Sequence, residues 1–246
     1  MKVGGVQVAG IVHNKGLPTR AQARRSRARV FRKVLAIGVL GAINGIRMRR
    51  WYANTAFRLN LPSLTQQAQS FGVPLLSVDN LKDSNVLSFI DSLDCDIGLS
   101  LGNGYLPKSI YQRTRLGMLN IHHEVLPDFR GAQSVIWQLY EGSTETGFTI
   151  HRIDEGIDTG DLVYIERMPI VFRRSLSETV SVTYAELNRR SAVALSQVLS
   201  EPLSIERALK QRNGRHYTTP SGLQFCRILW NYYRLRGAGF PQSVEG

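Results

Sequence analysis

Short apolar runs alternate with longer amphipathic stretches along the first half of the chain, and this pattern predicts strands and helices in turn. The apolar runs that we interpret as strands cover residues 6–14, 73–78, 95–102 and 117–123. Stretches with a helical period lie at 20–51, 63–72 and 79–93, and a short helix begins at Pro107. This order is typical of an α/β fold, in which helices flank a mostly parallel sheet.

The second half of the chain continues with a helical stretch at 131–142, followed by two strands within 146–170. A turn-rich loop from Asp154 to Gly160 separates these two strands. Ser175 and Glu178 have the spacing of a capping box, which predicts the start of a long helix that ends near Leu199. The last forty or so residues are rich in aromatic and basic side chains and form a small appendage.

An apolar segment with arginines on both sides, Val34–Ile46, lies within the first predicted helix. It is too short to cross a membrane, because a spanning helix needs roughly 20 apolar residues. Its apolar residues form one stripe at helical spacing, namely Phe31, Leu35, Val39, Ala42 and Ile46. Two interpretations stay open: a helix packed on the sheet, or a helix within 20–50 that lies on an anionic membrane surface.

Basic residues are concentrated in the first third of the chain. The formal net charge is +12, and the first acidic residue is Asp79, which thirteen of the 31 lysines and arginines precede. This asymmetry predicts an acidic partner near the N-terminal part: a phosphorylated substrate, an anionic membrane or RNA. A solvated basic helix face would give the same charge pattern.

The overall composition indicates a globular protein of a reducing compartment. Hydrophobic residues make up 43% of the chain and charged residues 20%, and these values exclude wholesale disorder. The two cysteines, Cys95 and Cys226, are far apart and form no disulfide framework or metal-binding spacing. We therefore expect a cytoplasmic protein, with peripheral membrane contact as a further option.

The candidate chemistry begins at the end of the fourth predicted strand, in the stretch NIHHEVLPDFRGAQ. Strand alternation places Asn120 and His122 on the same side, and open α/β sheets bind ligands at the carboxyl ends of their strands. If the later polar loop meets this end, Asp158 joins them. An amide, an imidazole and a carboxylate suit acyl transfer to an amine, in which Asn120 donates to the oxyanion, His122 exchanges protons and Asp158 accepts the amine proton.

Two segments, NIHHEVLPDFRGA and TGFTIHRIDEGIDTGDLV, resemble the 10-formyltetrahydrofolate-dependent formyltransferases. This group includes the sugar N-formyltransferases and the catalytic domain of methionyl-tRNA formyltransferase. The resemblance implies a Rossmann-like formyltransferase fold, no metal, and Asn120, His122 and Asp158 as the catalytic residues. It also implies that 10-formyltetrahydrofolate, the co-substrate, binds along Gly102, Asn103, Gly104, Tyr105, Leu106, Ile153, Asp154, Gly156 and Ile157.

The sequence departs from the family pattern at identifiable positions. The family usually has Ser where this chain has Glu124, and many members have Pro at the position of Ser134. The usual N-terminal strand with its glycine-containing turn is not evident, because the first strand here resembles the second strand of the family.

The resemblance implies a formyltransferase-like catalytic domain over 1–205, with its basic helical segment at 20–50, and a small extension over 206–246. The short tail and the loop DEGIDTGDL favour the sugar N-formyltransferases, so we expect a nucleotide-linked amino-deoxysugar as the acceptor amine. The alternatives are a methionyl-tRNA formyltransferase-like activity, a formyltetrahydrofolate deformylase, and a non-catalytic relative that associates with membranes or RNA.

Overall fold

The computed structural model describes residues 2–3, 5–16, 20–102, 106–131 and 133–238. Its strands are β1 (Lys2–Val3), β2 (Val6–Gln7), β3 (Ile11–Asn14), β4 (Leu75–Val78), β5 (Gly98–Ser100), β6 (Met118–His122), β7 (Arg130–Gly131), β8 (Glu145–Arg152), β9 (Leu162–Pro169) and β10 (His216–Tyr217). Its helices are α1 (Arg20–Leu59), α2 (Leu64–Ser70), α3 (Ser84–Ser92), α4 (Lys108–Tyr111), α5 (Ile136–Glu141), α6 (Leu176–Ser200), α7 (Pro202–Glu206) and α8 (Gly222–Gly237).

The α/β class predicted from the sequence is confirmed, and the described strands form parallel and antiparallel pairs in four separate sheets. Parallel pairs form between β3 and β4 and between β5 and β6. The largest sheet has the order β5-β6-β8-β9, and its last two pairs are antiparallel. Residues 153–161 connect β8 to β9, which is too short for the crossover that parallel strands need, so this pair is antiparallel.

Apolar clusters hold the sheet against its helices. Leu119, Phe148 and Ile150 pack with Leu187 and Val198 of α6, so this long helix covers one face of the large sheet. The side chain of Ser175 accepts a hydrogen bond from the backbone N–H of Glu178, which caps α6 at the position that the sequence predicts. A second cluster joins β4 to α3 and α4.

The last helix, α8, contributes to a core that it shares with much earlier parts of the chain. Ile228 and Tyr232 of α8 are fully buried in a cluster that also contains Met48 of α1 and Leu139 of α5. Asn231 adds hydrogen bonds from its side-chain amide to two carbonyls of α5, at 2.8 and 3.0 Å. As far as it is described, the C-terminal segment is therefore packed into the same body as the first helix.

Helix α1 forms where the sequence predicts a helix, and it has a break at Gly38, whose φ of 74° and ψ of 168° are not helical. The interpretation that its apolar stripe packs on the sheet is wrong, because Phe31, Leu35 and Val39 are 64%, 69% and 68% exposed. The helix packs instead on α6 and α8, through other residues such as Met48. Within the described residues, no helix has both the length and the apolar character required to cross a bilayer.

We predict that α8 stabilises the whole molecule. Ile228→Ala should lower the free energy of unfolding by about 2–5 kcal/mol, because it removes a fully buried side chain from a close-packed cluster. Leu223→Ala on the same helix is the matched control, since Leu223 is 86% exposed and should change stability by less than about 0.5 kcal/mol. Urea denaturation monitored by fluorescence measures both, and equal effects of the two substitutions would contradict the shared core.

Candidate active site

The pairing of β6 with β8 fixes the orientation of the Asn120 side chain. In this antiparallel register Asn120 lies opposite His151, and its Nδ2 donates a hydrogen bond to Nε2 of His151 at 3.1 Å. Nδ1 of His151 donates to the carbonyl of Arg152 at 2.8 Å, so the proton of the neutral ring is on Nδ1 and Nε2 is free to accept. Burial lowers the pKa of His151, which favours this neutral form.

Asp158 lies between two imidazole rings. Its Oδ2 is 3.6 Å from Nδ1 of His122, and its Oδ1 is 3.7 Å from Nε2 of His151. The backbone N–H of Gly131 also donates to Oδ2, at 3.0 Å. Nε2 of His122 donates to the carbonyl of Phe129 at 2.9 Å, which turns Nδ1 of this ring towards the carboxylate. The predicted amide, imidazole and carboxylate therefore come together.

The loop after β8 reaches this position because it folds back on itself. Two hydrogen bonds to Oδ1 of Asp154 stabilise the turn, one from the Gly156 N–H at 3.0 Å and one from the Thr159 hydroxyl at 2.6 Å. The side-chain amide of Gln211 donates to the carbonyls of Asp158 and Gly160, at 3.1 and 2.6 Å. The loop is thus held from within and by the segment that precedes β10.

One cavity of about 1250 Å³ contains the site. It is lined by the three predicted catalytic residues and by six of the predicted pocket residues, Gly102, Leu106, Ile153, Asp154, Gly156 and Ile157. The other three, Asn103, Gly104 and Tyr105, lie outside the described residues. The structure adds residues that the sequence interpretation missed: His151 in the floor of the cavity, and Lys33, Arg49 and Tyr52 of α1 in its wall.

His151 and the α1 residues were missed for different reasons. His151 occupies an ordinary strand position, and only the register that places it opposite Asn120 reveals its contact. The charge asymmetry did indicate an anion near the N-terminal part, but it could not show that Lys33 and Arg49 line the cavity.

The site can perform proton transfer and stabilise an oxyanion. It offers an amide donor, two imidazoles and a carboxylate in a largely buried wall, where such groups act more strongly than in water. In the described part of the chain, no group of three or more His, Cys, Asp or Glu side chains is arranged to hold a metal ion.

A layer of aromatic and imidazole rings lies behind His122. His123 packs edge-on against Tyr184 with ring centroids 4.8 Å apart, and Tyr184 packs against Tyr52 at 5.1 Å. Burial, together with the neighbouring His122, lowers the pKa of His123 to about 4. His123 is therefore a neutral ring that joins β6 to α6 at neutral pH.

We predict that His123 makes the protein sensitive to mild acid. Its pKa is about 4 when folded, against 6.5 as its ordinary value, so between these limits the unfolded chain binds more protons and stability falls as the pH falls. From pH 7 to pH 5 this contribution amounts to ~2 kcal/mol, at 1.36 kcal/mol for each pKa unit. Urea denaturation at both pH values should show this extra loss in the wild type and not in His123→Gln. The same loss in both proteins would contradict the assignment.

A family model and several curated proteins are similar in sequence to this chain. The family model described as formyl transferase matches residues 66–198. The methionyl-tRNA formyltransferase of Sorangium cellulosum is 32% identical over 119 residues, which cover 48% of this chain and 38% of the relative. The enzyme of the same name from Porphyromonas gingivalis is 31% identical over 197 residues, covering 75% of this chain and 58% of the relative.

Among solved structures, the formyltransferase PseJ from Anoxybacillus kamchatkensis, in complex with UDP-4,6-dideoxy-4-formamido-L-AltNAc and tetrahydrofolate, has a TM-score of 0.48 at 25% identity. The match covers 63% of this chain and 82% of that protein. The chain spans roughly 40–60% of the length of these two curated relatives.

Proposed function

The chain belongs to the formyl transferase family, and from this premise we propose that it is an N-formyltransferase that moves a formyl group from 10-formyltetrahydrofolate to a primary amine. One observation carries the proposal. Asn120, His122 and Asp158 line one cavity, and each is within hydrogen-bonding or near-contact distance of His151 or of another member of the three. The segments that contain them, strand β6 and the loop after β8, belong to the two stretches that resemble the family.

In the proposed reaction the amine nitrogen attacks the formyl carbon, and the new C–N bond forms as the bond from that carbon to N10 of the folate breaks. Nδ2 of Asn120 donates to the carbonyl oxygen as it gains negative charge. The Asp158 carboxylate accepts the proton that the amine nitrogen loses and passes it to Nδ1 of His122, which is 3.6 Å from the carboxylate, and His122 delivers that proton to N10 of the leaving tetrahydrofolate. The formyl group, the proton and the total charge therefore balance across these reaction steps.

His151 acts in this scheme as a positioning residue. Because its Nε2 accepts one N–H of Asn120, the amide is held with its second N–H free for the substrate oxygen. The hydrogen bond from His151 Nδ1 to the Arg152 carbonyl fixes the tautomer that makes this possible.

The co-substrate is proposed to bind in the part of the cavity that is lined by Leu106, Ile153, Asp154, Gly156 and Ile157. Apolar side chains such as Leu106 and Ile153 supply contact area for a heterocycle. The support for this assignment is the shared lining, which places these residues and the catalytic group around the same space.

The acceptor is proposed to be a phosphorylated amine, because Lys33 and Arg49 of α1 line the cavity. A nucleotide-linked amino-deoxysugar combines a primary amine with a diphosphate. The cavity of about 1250 Å³ exceeds the roughly 300–1,000 Å³ of a typical ligand pocket, which leaves room for two substrates. Methionyl-tRNA is the second candidate. The curated relatives carry this activity in their names, and basic side chains on α1 suit a polyphosphate backbone.

The acceptor class is tested by supplying 10-formyltetrahydrofolate together with UDP- and dTDP-linked 3-amino and 4-amino sugars, methionyl-tRNA, or water alone. We expect tetrahydrofolate release to depend on an amino sugar. Release that depends on methionyl-tRNA would select the second candidate, and release with water alone would indicate a deformylase. If 10-formyltetrahydrofolate is not consumed with any of these acceptors, the proposed activity is contradicted.

We predict that His122 and Asp158 are needed for the catalytic rate and not for folding. His122→Ala and Asp158→Asn should each lower kcat/KM by about 10²–10⁴-fold, the range for loss of acid–base catalysis. Asp161→Asn is the matched control for Asp158→Asn, because it changes the same loop at a residue that does not line the cavity. Circular dichroism verifies folding. An unchanged kcat/KM in the His122 or Asp158 variant would contradict the acid–base role of that residue.

A contact with an anionic membrane surface is a second proposed property, supported by the exposed stripe of α1. Phe31, Leu35 and Val39 are exposed, and Arg32 and Arg47 are exposed on the same helix, which has no acidic residue. Apolar and basic groups on one helix are the combination that binds the interface of anionic lipid. This property is compatible with a cytoplasmic enzyme.

Sedimentation with vesicles tests the membrane contact. The wild type should sediment with vesicles that contain phosphatidylserine and much less with phosphatidylcholine alone, whereas Leu35→Glu and Val39→Glu should stay in the supernatant. Leu203→Glu is the control, because Leu203 is 61% exposed on α7 and should not change sedimentation. Equal behaviour of all variants would contradict the contact.

A further inference from the structure

Glu124 is a buried carboxyl group in the wall of the cavity, two residues after His122. It is 3% exposed, and its backbone carbonyl accepts a hydrogen bond from the Thr149 hydroxyl at 2.8 Å. Its Oε2 accepts from Nε2 of Gln138 at 2.7 Å. Its Oε1 is also buried, yet no described residue donates to it. The side chain is thus fixed at one oxygen and unpartnered at the other.

Two further residues that line this cavity also have a buried oxygen without a hydrogen-bond partner among the described residues. These oxygens are Oε1 of Gln133 and Oγ of Ser134. Both residues line the cavity together with Glu124 and His122. Their positions are fixed, since the Tyr52 hydroxyl donates to the Ser134 carbonyl at 2.6 Å and the Gln133 amide donates to the Thr219 hydroxyl at 3.4 Å.

A buried oxygen without a hydrogen-bond donor lowers the stability of the folded protein. Three such oxygens among the residues that line one cavity indicate that the ligand supplies hydrogen-bond donors. Each costs free energy unless a donor reaches it, so the fitting ligand is rich in N–H or O–H donors. A carboxyl and an amide oxygen are acceptors, and a phosphate or carboxylate placed against them would face acceptor to acceptor. A primary ammonium group carries three N–H donors and the opposite charge to a carboxylate.

Without a bound cation, the buried Glu124 carboxyl group favours its neutral form. Burial is the main cause that raises its pKa well above the ordinary value, and the nearby Asp158 adds to the rise, while the Gln138 hydrogen bond opposes it. A cation placed beside Oε1 favours the ionised carboxylate, so an ammonium group and Glu124 stabilise each other in a buried site.

Building on the proposed function, we propose that Glu124, Gln133 and Ser134 form the subsite that binds the amino group of the acceptor. The ammonium nitrogen pairs with Oε1 of Glu124, and the unpartnered oxygens of Gln133 and Ser134 offer further acceptors in the lining of the same cavity. Glu124 then accepts one proton, so that an N–H bond breaks, an O–H bond forms, and the amine lone pair becomes available to attack the formyl carbon beside His122.

Steady-state kinetics with Glu124→Gln and Ser134→Ala tests this subsite. The assay varies 10-formyltetrahydrofolate against whichever of the UDP- or dTDP-linked amino sugars or methionyl-tRNA the wild type formylates. Glu124→Gln should raise the acceptor KM by about 10-fold or more, the effect of losing a charged hydrogen bond. The KM for 10-formyltetrahydrofolate should stay within about twofold, because the donor contacts are elsewhere in the cavity.

A competitor distinguishes amine recognition from general binding. The counterpart of the acceptor with a hydroxyl in place of the amine should inhibit the wild type weakly, and Glu124→Gln should bind amine and hydroxyl forms alike. Thr146→Val is the matched control, because Thr146 also has a buried unpartnered oxygen but does not line the cavity. Ser134→Ala removes one atom without a partner in the described chain, so it keeps the test decisive if Glu124→Gln does not fold.

The outcomes distinguish a failure of the proposed function from a failure of the amine subsite. A wild type that formylates no amine in the panel would overturn the proposed function, and the subsite with it. A wild type that formylates an amine, together with Glu124→Gln and Ser134→Ala variants whose acceptor KM and preference for amine over hydroxyl are unchanged, would overturn the subsite alone.

Discussion

The site depends on the carboxylate of Asp158. This carboxylate joins the loop after β8 to the segment around Gly131, and the large sheet does not include that segment. One oxygen accepts from the Gly131 N–H and faces His122, while the other faces His151. Gly131 suits this place: its φ of 104° is in the region that favours glycine, and a Cβ there would collide with the Tyr217 carbonyl. The backbone can therefore approach Asp158 while β7 pairs with β10 behind it.

The charge distribution along the chain has a structural counterpart in the position of α1. This helix carries basic residues without an acidic one, and it forms a wall of the cavity through residues such as Lys33 and Arg49. The same helix is anchored by Met48 in the core that it shares with α8. Basic side chains therefore line the same cavity as the proposed reacting groups, which suits an anionic acceptor.

Much of the fold and the centre of the site could be predicted from local sequence patterns, since these depend on alternation and capping. Alternation placed Asn120 and His122 together, and the Ser175 spacing marked the start of α6. The contact of His151 could not be predicted, because it depends on a strand register that the local sequence does not encode. The exposed stripe of α1 was uncertain for a similar reason: an amphipathic pattern shows that a helix has an apolar face, and not what that face contacts.

The proposed reaction requires that this cavity binds a folate beside Asn120, His122 and Asp158, and isothermal titration with 5-formyltetrahydrofolate, a stable analogue of the donor, measures that binding. We expect one site per chain with a Kd in the micromolar range or tighter, which corresponds to about −8 kcal/mol of binding free energy. Absence of any binding heat up to millimolar analogue would contradict the proposed function, because the site would then lack a working folate pocket.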